Sequence, residues 1–411
     1  MRDCSLIDRT IKRYLENSEL SCGALIVYKN RDTVYKNKWG YSDLAAKKAV
    51  AYNSIYRMMS MTKPVTAVAV MKLAEQGDIS LDAPVSQYIP AFHDMRVYVN
   101  ELPLETLAAL NPDRKGSGSG FDPASLAPIL AAVQEGHYHT APAIREITIR
   151  DLLTHSSGLE QGVYGFVKML LATEKRATLA TVAEMYSRYP LDFQPGTAAN
   201  YSPLAGFDIL ARIVEIVEAI PFDQYLKREI FDPLKMKDST FHLSPEQEGR
   251  LVRVYRRENG VLNDVTGTKD DMDGMIHRGT DYICASGGLY ATVEDYERFA
   301  RMLLNEGSLD GVQILEPETV RLMRSEGAYA HLEPEPGFVW GLGMKICQEP
   351  EHGVNPCTAG TYGWSGAFGT HFFISPADRM EAVWVTNRSD LGGSGSYISH
   401  EIERLVFDCF A

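Results

Sequence analysis

In Met58-Met59-Ser60-Met61-Thr62-Lys63-Pro64 a serine and a lysine stand three residues apart where a helix begins. Residues three apart share one helical face, so the ammonium can lie against the hydroxyl. A free serine attacks carbonyls poorly, and a base within hydrogen-bond reach makes it competent. Burial beside an apolar helix is the means by which a lysine is brought to act as that base. The S-x-x-K spacing alone is weak, arising about once by chance in a chain of this length. The bland reading is an N-cap serine followed by a surface lysine. Context opposes it: Pro64 is tolerated only in a first helical turn, Gly77 supplies a stop, and Val65, Ala67, Val68, Ala69, Val70, Leu73 and Ala74 are apolar nearly all round. Such a helix is buried, and Ser60 stands at its mouth.

Other stretches could carry chemistry. Pro195-Gly196-Thr197-Ala198-Ala199-Asn200-Tyr201-Ser202-Pro203 leads into a helix expected to hold the proline in its first turn, with Tyr201 on the loop before it. A phenol there can take or pass a proton, although most of the 21 tyrosines merely pack. Gly363-Trp364-Ser365-Gly366-Ala367-Phe368-Gly369-Thr370 approaches a strand through glycines that let backbone come close to a ligand, and Trp364, Ser365 and Gly366 are the expected substrate-binding residues. Ser365 is rejected as nucleophile, because Ala367 replaces the second glycine of G-x-S-x-G and the segment precedes a strand. His137-Tyr138-His139 and Asp270-Asp271-Met272-Asp273 match no metal-ligand spacing, so no metal and no cofactor is expected. Gly392-Gly393-Ser394-Gly395-Ser396 reads as a hinge.

The elements that would position these residues are legible in outline. Ile7, Ile11, Tyr14 and Leu15 follow helical spacing, and 23–28 and 33–39 read as strands about Asn30-Arg31-Asp32. Residues 96–146 look like an insertion with a mobile glycine-serine run at 115–120 and an amphipathic helix at 123–134. Thr148-Ile149-Arg150-Asp151 resembles a capping box. Helical patterns follow at 167–171, 179–189, 204–219 and 222–230. A hairpin turns at Glu258-Asn259-Gly260, and a helix at 293–306 precedes strands at 338–345, 369–375 and 382–387 and a last helix at 399–409. Strand-rich ends around a helical middle predict a discontinuous sheet domain, 1–85 with 275–411, and a mainly helical domain, 86–274.

With 411 residues and 45% hydrophobic content the chain can bury a large core. A net charge of -13 without a basic run argues against nucleic acid and anionic membrane surfaces, leaving a small-molecule ester or amide as partner. The polar start lacks the regions of a signal peptide and no apolar run reaches eighteen residues, so cytoplasmic residence is expected. Six cysteines without a C-x-x-C pair are expected to be reduced and mostly buried. Oligomeric state is not legible.

S-x-x-K at a buried helix, Tyr-Ser after Pro-Gly-Thr, and a glycine-rich turn into a late strand, in this order, resemble the serine β-lactamase and penicillin-recognising family in its class C and esterase-like branch. The likeness extends to Thr148-Ile149-Arg150-Asp151-Leu152-Leu153-Thr154-His155-Ser156-Ser157-Gly158-Leu159, Ser286-Gly287-Gly288-Leu289 and Phe231-Asp232-Pro233-Leu234-Lys235-Met236. The resemblance implies an α+β fold, an antiparallel sheet flanked by helices plus an all-helical domain, with the site in the cleft between them. It implies Ser60 as acylated nucleophile, Lys63 as its proton partner, Tyr201 as the proton-shuttling base, the N–H groups of Ser60 and Ala367 as an oxyanion hole, and a structural His155.

Two positions depart from that pattern. Pro203 stands where the family's tyrosine motif has an amide-binding asparagine, and Trp364 where cell-wall enzymes and many β-lactamases place a lysine. Both favour neutral ester substrates, with Arg388 the residue able to restore a charge. The expectation is a serine hydrolase acting on carboxylic esters; a β-lactamase, D-amino peptidase or acyltransferase using the same residues, or a silent binding protein on this fold, are the rivals.

Overall fold

Alternation along the first strand sorts its side chains onto two faces that are both covered. The structure, a computed structural model, describes residues 4–99, 139–160, 177–276, 281–325, 336–353, 357–393 and 396–411. The glycine-serine run at 115–120, the helices expected at 123–134 and 167–171, His137, Tyr138 and part of the 392–396 hinge lie outside the described residues. Helix α1 (Ser5–Glu16) is followed by strands β1 (Cys22–Lys29), β2 (Asp32–Asp43) and β3 (Lys48–Ala49). Near the other end come β4 (Phe338–Trp340), β5 (Lys345–Cys347), β6 (Tyr362–Ser365), β7 (His371–Ser375) and β8 (Met380–Val385). They form one sheet in the order β4-β5-β6-β7-β8-β1-β2-β3, antiparallel throughout, with β1 and β8 joining the two ends of the chain through Ala24↔Val385 and Ile26↔Val383. Ala24, Ile26, Phe372, Ile374 and Val383 enter one core; Leu25, Val27, Phe373, Ala382 and Trp384 enter another with Ile7, Ile11, Ile402 and Val406.

The single strand expected at 338–345 is two. The chain reverses at Gly341–Gly343 so that Phe338 pairs with Cys347 and Trp340 with Lys345. Gly343 sits at φ +88°, where a Cβ would collide with that of Ala67, and its N–H donates to the Leu153 carbonyl at 3.0 Å.

On the first core face lies α2 (Thr62–Gln76), whose residues from Thr62 to Met71 are all buried, and Gly77 ends it at φ +85°. Helix α3 (Ile149–Leu153) opens with the expected capping box: Thr148 accepts the Asp151 N–H while Asp151 accepts the Thr148 N–H at 2.8 Å. Then come α4 (Leu179–Ser187) and α5 (Ala205–Glu218), packed on each other, with α5 also against α2. Pro203 is not in the first turn of α5; the helix starts after Leu204, whose φ of -125° is not helical, and the Pro203 carbonyl accepts from Lys63. The segment expected as one helix at 222–230 is α-helical over Phe222–Leu226 and π-helical over Lys227–Phe231. Helix α6 (Val293–Leu304) lies on the same sheet face, with Tyr296 edge-on to Phe372, and α7 (Tyr397–Phe410) joins α1 on the opposite face. No helix among the described residues is long and apolar enough to cross a membrane.

Candidate active site

Ser60 lies in a 3-10 turn (Met59–Met61) that runs directly into α2, so its side chain stands at a helix N-terminus. Met59 before it adopts φ +52°, a left-handed conformation unusual for a methionine. Two links hold this entry: the Met58 N–H donates to the Leu289 carbonyl at 2.9 Å, and the Leu289 N–H donates to the Thr62 hydroxyl at 3.1 Å. The Ser286-Gly287-Gly288-Leu289 stretch thus fixes the approach to the serine.

The Tyr201 hydroxyl donates to Ser60 Oγ at 2.6 Å, while Lys63 Nζ is 3.5 Å from the same oxygen. Lys63 reaches the serine hydroxyl as expected, and the phenol lies nearer still. Lys63 is fully buried and donates to the Pro203 carbonyl at 2.6 Å and the Ser286 carbonyl at 2.9 Å. Three acceptors surround its three N–H donors, an arrangement suited to the ammonium form. Its nitrogen also lies 4.9 Å from the centre of the Tyr201 ring. Lys63 therefore joins the helix carrying Ser60 to the loop carrying Tyr201, and brings positive charge beside the phenol.

Two carboxyl groups that the sequence reading did not single out, Asp208 and Glu160, organise the surroundings of Lys63. Asp208 of α5 accepts the Ser286 N–H at 3.1 Å and the Tyr282 hydroxyl, and burial pushes its carboxyl up to about 6. Glu160 accepts the N–H groups of Leu204 and Ala205 at 2.9 and 2.5 Å, capping α5 from a distant segment. Burial outweighs those bonds and raises it to about 8. Both acids hold backbone next to the carbonyls that receive Lys63. One signal for Asp208 was available: an aspartate on the apolar face of an amphipathic helix needs a buried partner.

His155 is placed as the resemblance implied. Its Nδ1 accepts the Ser202 N–H at 3.1 Å, and its ring packs 4.9 Å from Tyr201 and 4.3 Å from Trp340. Burial, with Lys63 nearby, holds it well below the usual histidine range, so it is neutral. Trp364 stands 5.2 Å from Tyr201 and 4.6 Å from Trp340, making an aromatic wall; Trp340 was missed because an isolated tryptophan in a strand reads as core.

Gly366 is brought to the site by backbone. Its N–H donates to the Thr370 carbonyl at 2.8 Å, the Thr370 hydroxyl donates to the Met58 carbonyl at 3.0 Å, and any Cβ on Gly366 would strike both Met58 and Thr370. Ala367 follows in that turn, which Gly369 closes with an N–H to the Gly366 carbonyl at 2.9 Å. Ser365 is not brought to the cleft. Next to Trp364 on a strand it points the other way, and its hydroxyl is 2.8 Å from His371 Nδ1 beneath the sheet. Arg388, expected as a reserve charge, is committed elsewhere: its guanidinium pairs with both Asp390 oxygens at 3.0 and 2.7 Å and donates to the Glu19 carbonyl at 2.8 Å.

The chain is similar to known proteins over nearly its whole length. The family described as Beta-lactamase matches residues 7–405. Protein Rv1367c of Mycobacterium tuberculosis is 30% identical over 387 residues, covering 90% of this chain and 86% of that protein. Among solved structures, EstCE1, a hydrolase with promiscuous acyltransferase activity, superposes with TM-score 0.75 at 20% identity over 99% of both chains. Unliganded simvastatin synthase (LovD) from Aspergillus terreus, as its selenomethionyl derivative, gives TM-score 0.75 at 19% identity over 99% of this chain and 98% of that one.

Proposed function

Since the chain belongs to the beta-lactamase family, a family of serine hydrolases, we propose that it hydrolyses carboxylic esters through an acyl-enzyme on Ser60. The observation that carries this reading is the 2.6 Å contact between Tyr201 and Ser60 beside a buried Lys63. In this reading Tyr201 acts as phenolate beside Lys63, and its oxygen takes the serine proton as Oγ adds to the ester carbonyl. The N–H groups of Ser60 and Ala367 receive the oxyanion. Tyr201 then gives its proton to the departing alkoxide, which leaves as alcohol; the same oxygen deprotonates the water that attacks the acyl-enzyme and returns that proton to Ser60 Oγ as the acid is released.

Ester preference rests on the wall and on what faces it. The rings of Tyr201, Trp340 and Trp364, the two tryptophans nearly buried, pack on one another beside Ser60 and make that side of the site apolar, which suits an apolar acyl or alcohol group. Trp364 supplies no cation for a substrate carboxylate, Arg388 is engaged with Asp390, and Pro203 turns its carbonyl to Lys63. EstCE1, described as a hydrolase with promiscuous acyltransferase activity, shares the fold. The test is kcat/KM for a short neutral aryl ester, nitrocefin and a D-Ala-D-Ala peptide, measured side by side. The ester is expected to lead by at least about tenfold, the equivalent of one charge-assisted hydrogen bond. Faster nitrocefin or peptide turnover would overturn the preference, and no turnover with any of them would overturn the hydrolase reading.

A further inference from the structure

Away from the cleft, on the side of the sheet covered by α7, two cysteines approach each other. Cys347 ends β5 and Cys357 precedes β6, with their Sγ atoms 2.9 Å apart and both thiols free. Backbone fixes the pair: the Cys347 N–H donates to the Thr361 carbonyl and the Gly360 N–H donates to the Cys347 carbonyl, both at 2.8 Å. Cys357 also lines a cavity of about 50 Å³, shared with His371, His400 and Glu403.

We propose that Cys347 and Cys357 form an oxidation site, closing to a disulfide when a hydroperoxide enters this cavity. A disulfide holds its sulfurs at about 2.05 Å, so a short approach completes the bond. About 10–15 Å³ of such space holds one water, so the cavity has room for a molecule the size of hydrogen peroxide beside Cys357.

The hydrogen bond from the Cys357 S–H holds Cys347 below the usual thiol range, while the same bond and burial push Cys357 up. In the first step the Cys347 thiolate attacks one peroxide oxygen; the O–O bond breaks, hydroxide leaves and takes the Cys357 proton to become water, and Cys347 becomes a sulfenic acid. Cys357 then attacks that sulfur, and its hydroxide leaves, protonated by solvent, as a second water. Two thiols and one hydrogen peroxide thus yield one disulfide and two waters, and a dithiol reductant reverses the change. The closed loop ties β5 to the approach of β6, the strand that carries Trp364, while leaving Ser60, Lys63 and Tyr201 untouched.

The experiment treats the full chain with hydrogen peroxide, alkylates the remaining thiols, and cleaves at glutamate, because Glu349 and Glu351 lie between the two cysteines while no lysine or arginine does. The expected result is a mass lower by about 2 Da, and a Cys347 peptide joined to a Cys357 peptide until dithiothreitol releases it. In Cys357→Ser that link is absent. Recovery of Cys347 and Cys357 as separately alkylated peptides, under conditions that oxidise the more exposed Cys4 or Cys409, would overturn the proposal. So would a disulfide joining either of them to another cysteine.

Discussion

Ser60 and Ser365 each have a side chain able to exchange a proton within hydrogen-bond reach, the Tyr201 hydroxyl at 2.6 Å and His371 Nδ1 at 2.8 Å, yet only Ser60 is partly exposed, as the proposed nucleophile must be. Ser60 stands at the mouth of α2, partly exposed, beside a cation and an aromatic wall. Ser365 is 2% exposed, on a strand covered by α7, with a histidine that burial drives down to about 3 and so keeps neutral. A nucleophile is therefore not defined by a serine and a base. It also requires access, donors for the developing oxyanion and a charge that steadies the base, and these come from the elements around it.

The sharpest way to break this contrast is to remove each hydroxyl in turn. Ser60→Ala should lower kcat for an aryl ester by at least about four orders of magnitude, whereas Ser365→Ala should leave kcat/KM within about threefold and act on stability. A serine-directed phosphonate should label Ser60 alone, as peptide mapping would show; labelling at Ser365 would reverse the assignment. Next in size, Tyr201→Phe keeps the ring contacts with His155, Trp340 and Trp364 but loses the proton path. Turnover should fall by about 10² to 10⁴ while the melting temperature hardly moves. Trp364→Ala sharpens the wall's share: the advantage of longer over shorter acyl esters should shrink by about tenfold, read as a ratio of kcat/KM values.

The smallest effect concerns pH. Glu160 is raised to about 8 from an ordinary 4.5, so between those values the folded chain holds a proton that the unfolded chain has lost. Its contribution to stability is full below about pH 4.5 and is lost as pH rises through 8. Glu160→Gln keeps an acceptor for the Leu204 and Ala205 N–H groups without titrating. The variant's melting temperature should decline less than that of the wild type between pH 5 and 8, in thermal scans over that range; an equal decline would remove Glu160 as the cause.

Much of the site was legible because its parts lie at element boundaries with local signatures. Ser60 and Lys63 flank a proline-marked helix start, and Tyr201 lies on the turn leading into α5. The capping box at Thr148 leads by a short turn to His155. What was not legible is convergence. Lys63 meets carbonyls at positions 203 and 286, and Glu160 caps a helix that begins at Ala205, pairings set by tertiary packing rather than by any local period. The division of 338–345 into two strands was missed for a local reason: Trp340-Gly341-Leu342-Gly343 keeps strand-like alternation while its glycines permit a reversal. Arg388 looked available because a charge after a strand reads as exposed, and only the fold reveals Asp390 and the Glu19 carbonyl around it.

The glycine at that reversal also has a mechanical role. Gly343 rests on Ala67 of α2 with no clearance for a methyl group, while its N–H is anchored to Leu153 of α3. The hairpin tip bearing on α2 belongs to the strand that presents Trp340, and one turn before Ala67 on the same helix stands Lys63. A missing side chain thus sets how closely the turn approaches the helix: one added carbon at position 343 would act as a shim against Ala67, pressing on the turn that follows Trp340 without touching a group that reacts.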